Sequence, residues 1–281
     1  MGAAYVAGLW TALRRWALVL VLLLVNLLSG LGFTAVAWSW LSMALDSSLA
    51  TRTLLADLDV NVFVDLFVHH GDSLRMLLVA AGVMAVFFIL VGVWLNAVTV
   101  VAVGDDAGTG ECMRRGFSLY PAYARLWLLA TVMNAISVGV AFLIGRGLTR
   151  WLAESPSEMS FYWAVAAGAV AGAVLLLFFV TVHDHARIRS AATGAGAVRA
   201  YVWAIRFVGK REWRAVPLAA ILTASGIAVW AVYQTVGMLV ATDSSPGVVL
   251  SLAWGETFLL ARTILRVWFF AAETELQNIA D

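Results

Sequence analysis

The chain has 281 residues, of which 63% are hydrophobic and only 12% are charged. A soluble domain carries about 45–50% apolar and about 25% charged residues. This composition therefore excludes a cytosolic enzyme, a nucleic-acid-binding protein and a disordered chain. The net charge of +1 gives no global field that would attract an anionic partner. The single cysteine, Cys112, excludes an intrachain disulfide and the C-x-x-C metal and redox motifs.

Six apolar stretches are each long enough to cross a bilayer, which takes about 20 residues of helix. In chain order they cover about residues 16–41, 76–103, 126–147, 161–182, 216–240 and 248–272. The apolar runs are continuous rather than alternating, which argues against barrel strands. The sequence therefore predicts an all-α fold, with residues 1–281 forming one transmembrane domain. That domain is a polytopic bundle of six spans with additional interfacial amphipathic helices.

Lys and Arg are distributed unevenly between the two sets of connecting segments. The richer side holds twelve of them: Arg14, Arg15, Arg114, Arg115, Arg125, Arg187, Arg189, Arg199, Arg206, Lys210, Arg211 and Arg214. The other side holds four, Arg52, Arg75, Arg146 and Arg150. This bias predicts that the richer side is cytoplasmic and that both termini lie there. The first apolar run is too long for a signal peptide, so we expect it to stay in the membrane.

A weak internal repeat divides the chain into three hairpins. Each odd-numbered span follows a segment that mixes Arg with aromatic residues, at 10–16, 117–127 and 201–213. Each even-numbered span ends in a patch of small or β-branched residues followed by acids. The pattern predicts three hairpins with one interfacial helix each, an architecture common among transporters. The alternative interpretation is that there is no repeat, because any six-span protein has similar residues at the ends of its spans.

Two connecting segments are long enough to hold structure of their own. In residues 42–73, apolar side chains recur at helical spacing around Asp57, Asp59 and Asp65, which predicts an amphipathic helix packed on protein at the outer surface. In residues 183–215, the stretch 193–196 contains two glycines and is expected to interrupt the helical structure. The helix expected after the break is basic, with Arg199, Arg206, Lys210 and Arg211. Each basic residue near an anionic headgroup layer is worth about 1 kcal/mol, so this helix is expected at the inner surface.

His183, Asp184 and His185 form the most suggestive metal-binding spacing. On a helix, however, the two histidines point about 200° apart. A polar cap at the end of the fourth span is the favoured interpretation, and we expect no metal site. The pair His69 and His70 lies at a loop edge, where cofactor ligation is also not expected. Because no metalloprotease, nucleophile-elbow or P-loop motif occurs, the sequence predicts no catalytic residue, no cofactor and no enzymatic activity.

Packing signals are clearer than chemical ones. Gly168 and Gly172 form a G-x-x-x-G motif in the alanine-rich fourth span, which lets another helix backbone approach closely. The partner is left open between another span and another subunit. Asn26, Asn96 and Asn134 lie within the first three spans, and each is expected to make an interhelical hydrogen bond.

The sixth span is unusual because it contains Glu256, Arg262 and Arg266. A guanidinium on a lipid-facing surface in mid-bilayer costs at least about 2.5–3.5 kcal/mol, so both arginines are expected to face the bundle. The functional interpretation is a site for an anion or a lipid headgroup, and the structural one is an ion pair. Candidate partners from other helices are Asp105, Asp106 and Asp184.

Three short motifs support a family resemblance. They are Asp184-x-Ala186-Arg187-Ile188-Arg189 after the fourth span, the basic segment 198–207, and Arg262-x-x-x-Arg266 in the sixth span. On these residues the chain resembles a group of uncharacterised bacterial six-span integral membrane proteins and, loosely, the membrane domain of glycerophosphodiester phosphodiesterases. The resemblance implies a protein of the bacterial inner membrane. It carries over no catalytic residue, because the phosphodiesterase activity of that family lies in a separate soluble domain.

Three functional hypotheses follow. The leading one is a non-enzymatic integral membrane subunit or scaffold of a larger assembly, whose partners are membrane lipids and other membrane subunits. The alternative is a transporter or lipid-handling protein that uses the charges of the sixth span, and a membrane enzyme ranks third. A polar cavity open to one face would favour the alternative, whereas a dry core would favour the subunit.

Overall fold

The computed structural model describes residues 1–45, 68, 71–105, 107–152, 159–240 and 245–280. In these ranges every regular element is helical, which confirms the predicted all-α fold class. The α-helices are α1 (Gly2–Arg14), α2 (Trp16–Leu45), α3 (Gly71–Gly104), α4 (Thr109–Ser118), α5 (Tyr120–Trp151), α6 (Met159–Thr193), α7 (Ala197–Arg206), α8 (Ala215–Gly237) and α9 (Ser245–Ala280). A short π-helical turn, Phe207–Arg211, follows α7.

Six helices, α2, α3, α5, α6, α8 and α9, are long and apolar enough to cross a membrane. The chain is therefore a multi-pass membrane protein, as predicted. Five of the six contain between 30 and 36 residues, or about 45–54 Å of helix. They are longer than the hydrocarbon core, which is about 30 Å thick.

Several helices differ in extent from the apolar spans they contain. The fourth apolar span reaches Val182 and the sixth Ala272, but α6 continues to Thr193 and α9 to Ala280. The fifth apolar span reaches Val240, but α8 ends at Gly237. The first two differences have one cause: the apolar run ends where polar residues begin, yet those polar residues are buried against protein. A change in composition therefore did not mark the end of the helix.

The chain divides into two compact units, residues 21–92 and residues 1–20 with 93–281. In the first unit, Gly32 of α2 lies close to Met84 of α3, since a β-carbon at Gly32 would be 3.2 Å from the Met84 methyl carbon. Two expectations fall outside the described residues. They are the amphipathic helix around Asp57, Asp59 and Asp65, and the pair His69 and His70.

Among the described residues, the order of elements is a short helix followed by two long ones, three times over: α1–α2–α3, α4–α5–α6 and α7–α8–α9. The short helices have 13, 10 and 10 residues. The three-hairpin repeat stays a prediction, and the segment 117–127, expected to be interfacial, lies mostly in α5. The break predicted at 193–196 is confirmed, because α6 ends at Thr193 and Gly194 adopts a left-handed φ of 68° before α7 begins.

Each short helix packs on the second long helix of another repeat. α4 lies on α3, where a β-carbon at Gly116 would be 2.6 Å from Val98 Cγ2. α7 lies on α6, where the centres of the Tyr201 and His183 rings are 6.3 Å apart. α1 lies on α9, where a β-carbon at Gly8 would be 2.6 Å from the Ala272 backbone nitrogen. The first and third repeats are thereby joined directly.

Small residues make these approaches possible. The buried positions of α1 are Ala4, Gly8 and Ala12, and those of α4 are Cys112 and Gly116. Residues four apart lie on one helix face, and small side chains there let two backbones approach closely.

The core lies at the end of the bundle where these short helices dock. One cluster of buried side chains there consists of Val93, Ala97, Val100, Tyr123, Ile188 and Phe270. In the most apolar 18-residue window of α5, α6, α8 and α9, by contrast, only 6–22% of the residues are buried. One end is thus packed like a soluble core, and the remaining lengths of these helices present apolar side chains to the membrane.

Candidate functional site

Charged and polar side chains gather where α3, α5, α6 and α9 meet. We call this group the buried polar cluster. Its members are Asn96 of α3, Tyr123 of α5, His183, Asp184, His185 and Arg187 of α6, and Arg266, Glu273 and Gln277 of α9. The cluster contains the predicted metal candidates and one of the two predicted sixth-span arginines.

Hydrogen bonds and ion pairs tie the cluster together. The Arg187 guanidinium lies 2.9 Å from an Asp184 carboxylate oxygen, and both side chains are only 12% exposed. The Tyr123 hydroxyl donates to the Arg187 carbonyl oxygen at 3.0 Å, which links α5 to α6. Arg266 Nη2 donates to Asn96 Oδ1 at 2.7 Å, which links α9 to α3. The opposite charges of Arg266 and Asp184 also attract each other.

Glu273 is the most deeply buried carboxylate of the cluster. Its side chain is 1% exposed, and neither carboxylate oxygen has a hydrogen-bond partner among the described residues. Burying such a group without a hydrogen bond is costly. The positive charge of Arg187 attracts Glu273, whereas the carboxylate of Asp184 repels it. Arg187 therefore attracts both acids, although only Asp184 is in contact with it.

The two histidines of α6 lie under the third short helix and the turn that follows it. His183 contacts the Tyr201 ring, and the His185 ring centre is 5.0 Å from that of Phe207. Gln277 interacts with His185, but the geometry falls short of a full hydrogen bond, and neither ring nitrogen has a hydrogen-bond partner among the described residues. The predicted polar cap is wrong, because the helix continues past these residues and α7 covers them. Within the described ranges, no three His, Cys, Asp or Glu side chains are grouped as a metal site requires.

The charges of the sixth span do not form one site. Arg266 belongs to the buried polar cluster, which agrees with the expectation that it faces the bundle. The expectation that Arg262 faces the bundle is wrong, because its side chain is exposed. The Glu256 side chain is exposed too. The buried face of α9 runs through Thr263 and Val267, so Arg262 lies beside it.

Of the acids predicted to pair with Arg262 and Arg266, one lies near Arg266 and another pairs elsewhere. Asp184 is within electrostatic reach of Arg266. Asp105 instead pairs with Arg115, and its backbone carbonyl accepts a hydrogen bond from Arg15 at 2.6 Å. Asp106 lies outside the described residues. The partner that sequence reasoning missed is Asn96, which had been singled out only as an interhelical hydrogen-bonding residue.

Gly168 and Gly172 lie at a close helix contact, as predicted. A β-carbon at Gly168 would be 2.9 Å from the Ala141 carbonyl oxygen, and one at Gly172 would be 2.6 Å from the Ala141 β-carbon. Ala141 belongs to α5 of the same chain. The small-residue face is therefore used within the chain, which decides between the two partners left open by the sequence.

A separate cavity of about 890 Å³ lies between α5, the end of α6 and the start of α7. Arg125, Arg189 and Arg199 line it, together with apolar residues of α5 and Trp203 of α7. The guanidinium carbon of Arg189 is 4.7 Å from the centre of the Trp203 ring. Sequence reasoning placed Arg199 on a basic helix but missed this cavity, because Arg125 is far from α7 along the chain.

No family model matches the chain, and no curated protein or solved structure matches it either. These comparisons do not bear on the resemblance to the membrane domain of glycerophosphodiester phosphodiesterases, which stays a prediction.

Proposed function

We propose that the protein is a non-enzymatic subunit or scaffold of a larger membrane assembly. The observation that carries this proposal is that the buried charged side chains interact within the chain. Asp184, Arg187 and Arg266 bind to one another or to neighbouring helices, and removing one partner of a buried ion pair is strongly destabilising. Charges used in this way fix the helices of one packed end. The apolar lengths of the spans stay available to other membrane-spanning chains.

The alternative, transport or lipid handling through the sixth span, has less support, because the arginine-lined cavity lies between α5, α6 and α7 and includes no residue of the sixth span. It needs Glu256, Arg262 and Arg266 at one polar site, but Arg266 is bound to Asn96 and the other two side chains are exposed. The close contact at Gly168 gives the subunit hypothesis no support either, because it is made within the chain.

Co-purification from the native membrane tests the proposal. The membrane is extracted with a polymer that excises discs of bilayer, and the chains that accompany the tagged protein are identified and quantified. We expect at least one further membrane-spanning chain in a fixed molar ratio that survives a second purification step. Discs that hold only copies of this chain would contradict the subunit hypothesis.

The proposed location is the bacterial inner membrane, with both termini and the α6–α7 connection in the cytoplasm. The basis is the bias of twelve basic residues against four. Labelling of intact cells with an impermeant thiol reagent checks this orientation. Asp59→Cys should react and Gly196→Cys should not, and the reverse pattern would refute the topology.

The native thiol does not interfere with this labelling. Cys112 is buried, and burial raises the pKa of its thiol, which leaves less of the reactive thiolate. The unmodified protein should therefore stay unlabelled and serves as the control.

A further inference from the structure

We propose that the cavity between α5, α6 and α7 binds the phosphate group of an anionic membrane lipid. This inference stands apart from the proposed subunit function, because the cavity shares no residue with the buried polar cluster. It rests on three features: the charges that line the cavity, the backbone at the start of α7, and the apolar wall supplied by α5.

The first feature is the positive charge of Arg125 and Arg199, which no acid among the described residues neutralises. Three arginines line the cavity, Arg125, Arg189 and Arg199, and no acidic residue is among the described lining residues. Neither Arg125 nor Arg199 makes an ion pair within the described part of the chain. Elsewhere at this end of the bundle, arginines do pair with carboxylates, as Arg114 does with Glu111 at 2.8 Å. Guanidinium groups donate in a planar fork that matches phosphate oxygens.

The second feature is the exposed start of α7, which lies in the same cavity. Gly196 is the N-cap and supplies no side-chain hydrogen bond to the first turn, and that turn contains no acidic residue. Ala197, Val198 and Arg199, the first residues of that turn, are among the residues that line the cavity. The first amide groups of a helix lack intrahelical partners and attract anions. These amide groups supplement the arginines in attracting a phosphate and do not form a site on their own.

The third feature distinguishes a lipid from a soluble phosphate. Leu128, Leu129 and Val132 line the cavity from α5, one of the membrane-spanning helices. Leu128 is 57% exposed and Val132 is 53% exposed. An acyl chain that followed these side chains would stay in contact with the apolar surface of the span. A soluble phosphate ester would leave this wall in water.

Trp203 completes the boundary between the polar and apolar parts of the cavity. Arg189 lies over its ring, and the ring stacks on Phe207 with centres 4.8 Å apart and planes 17° from parallel. Indole rings favour the headgroup layer of a membrane. We therefore assign Arg189 to positioning Trp203, and Arg125 and Arg199 to binding the phosphate.

Native mass spectrometry of the detergent-purified full chain, titrated with phosphatidylglycerol or phosphatidylcholine, tests the proposal. Wild type should bind phosphatidylglycerol in preference to phosphatidylcholine. A basic residue near an anionic headgroup contributes about fivefold in affinity, so Arg125→Gln with Arg199→Gln should weaken phosphatidylglycerol binding about 25-fold.

The matched control also removes two positive charges. Arg206→Gln with Lys210→Gln changes exposed residues that do not line the cavity, and it should alter the affinity by no more than about twofold. All variants should unfold at the same temperature, because the substituted side chains are exposed. If both double variants lost the same affinity, binding would follow net charge and the site would be refuted.

Competition with glycerol phosphate distinguishes a lipid from a soluble phosphate ester as the occupant of the cavity. We expect it to displace phosphatidylglycerol only at concentrations far above that of the lipid, since it cannot use the apolar wall. Displacement at equal concentration, abolished by the Arg125 and Arg199 substitutions, would overturn the lipid as occupant and leave a site for a soluble phosphate ester. Equal binding of phosphatidylcholine and phosphatidylglycerol by wild type would overturn the selectivity for an anionic lipid.

Discussion

Arg262 and Arg266 show how one helical turn separates two environments. Arg266 reaches Asn96 on another helix, whereas Arg262 is exposed beside the buried face of α9. A hydrogen bond to a charged group is worth about 1.5–3 kcal/mol. Arg266→Leu should lower the free energy of unfolding by about that amount. Arg262→Leu, at an exposed position, should change it by no more than about 0.5 kcal/mol.

Denaturant unfolding of the two variants in one detergent gives this comparison. Adding Asn96→Leu to Arg266→Leu should cost less than the sum of the two single changes, because both remove the same hydrogen bond. If Arg262→Leu proved the more damaging, the assignment of Arg266 as the interhelical contact would be wrong.

At the scale of elements, the contact between α5 and α6 depends on residues without large side chains. At Gly168 a β-carbon would meet the Ala141 carbonyl oxygen, whereas at Gly139 of α5 it would meet nothing within 4 Å. Gly168→Leu should therefore destabilise the chain by at least about 1–3 kcal/mol through overpacking. Gly139→Leu should leave the unfolding midpoint unchanged.

The same pair of variants shows whether the contact is internal to the chain. The chains that co-purify with the protein should be the same for Gly168→Leu and for wild type, as long as the variant is folded. Loss of a partner chain with no change in the unfolding midpoint would mean that the glycine face serves a subunit interface.

The spans could be predicted from the sequence, but not the full lengths of the helices that contain them. A continuous apolar run of about 20 residues has few other stable structures, so the six crossings follow from composition. Beyond Val182, His183 and Asp184 give the composition of an exit from the membrane. The helix continues because His183 is covered by α7 and Asp184 pairs with Arg187 near Arg266 of α9, and these are tertiary contacts. The cavity at Arg125 was missed for the same reason, since it joins residues of three helices.

At the scale of the whole molecule, the repeats are joined by the contact between α1 and α9. Gly8 lies against the Ala272 backbone, and the Trp268 indole nitrogen donates to the Tyr5 carbonyl oxygen at 2.8 Å. Gly8→Leu should separate these helices and lower the free energy of unfolding by at least about 1–3 kcal/mol. Gly2→Leu on the same helix is the control, because a β-carbon there meets nothing within 4 Å.

Thermal unfolding followed by near-ultraviolet circular dichroism suits this test, because the Tyr5 and Trp268 rings, 4.6 Å apart, contribute to the signal. The spectrum of the folded Gly8→Leu variant should change in the tryptophan region, and that of Gly2→Leu should not. An unchanged spectrum and midpoint for Gly8→Leu would mean that this contact is dispensable.

Docking of α1 on α9 also sets an order in time. A ribosome adds about 5–20 residues per second, so roughly 15–50 s separate the synthesis of Gly8 from that of Ala272. During this interval the α9 backbone on which Gly8 packs does not yet exist, so the small-residue face of Ala4, Gly8 and Ala12 lacks that contact. Closure of the bundle is thus a late step of biogenesis. A nascent chain that stalls before Ala272 would display an unpaired α1, which is a recognisable mark of an unfinished protein for membrane quality control.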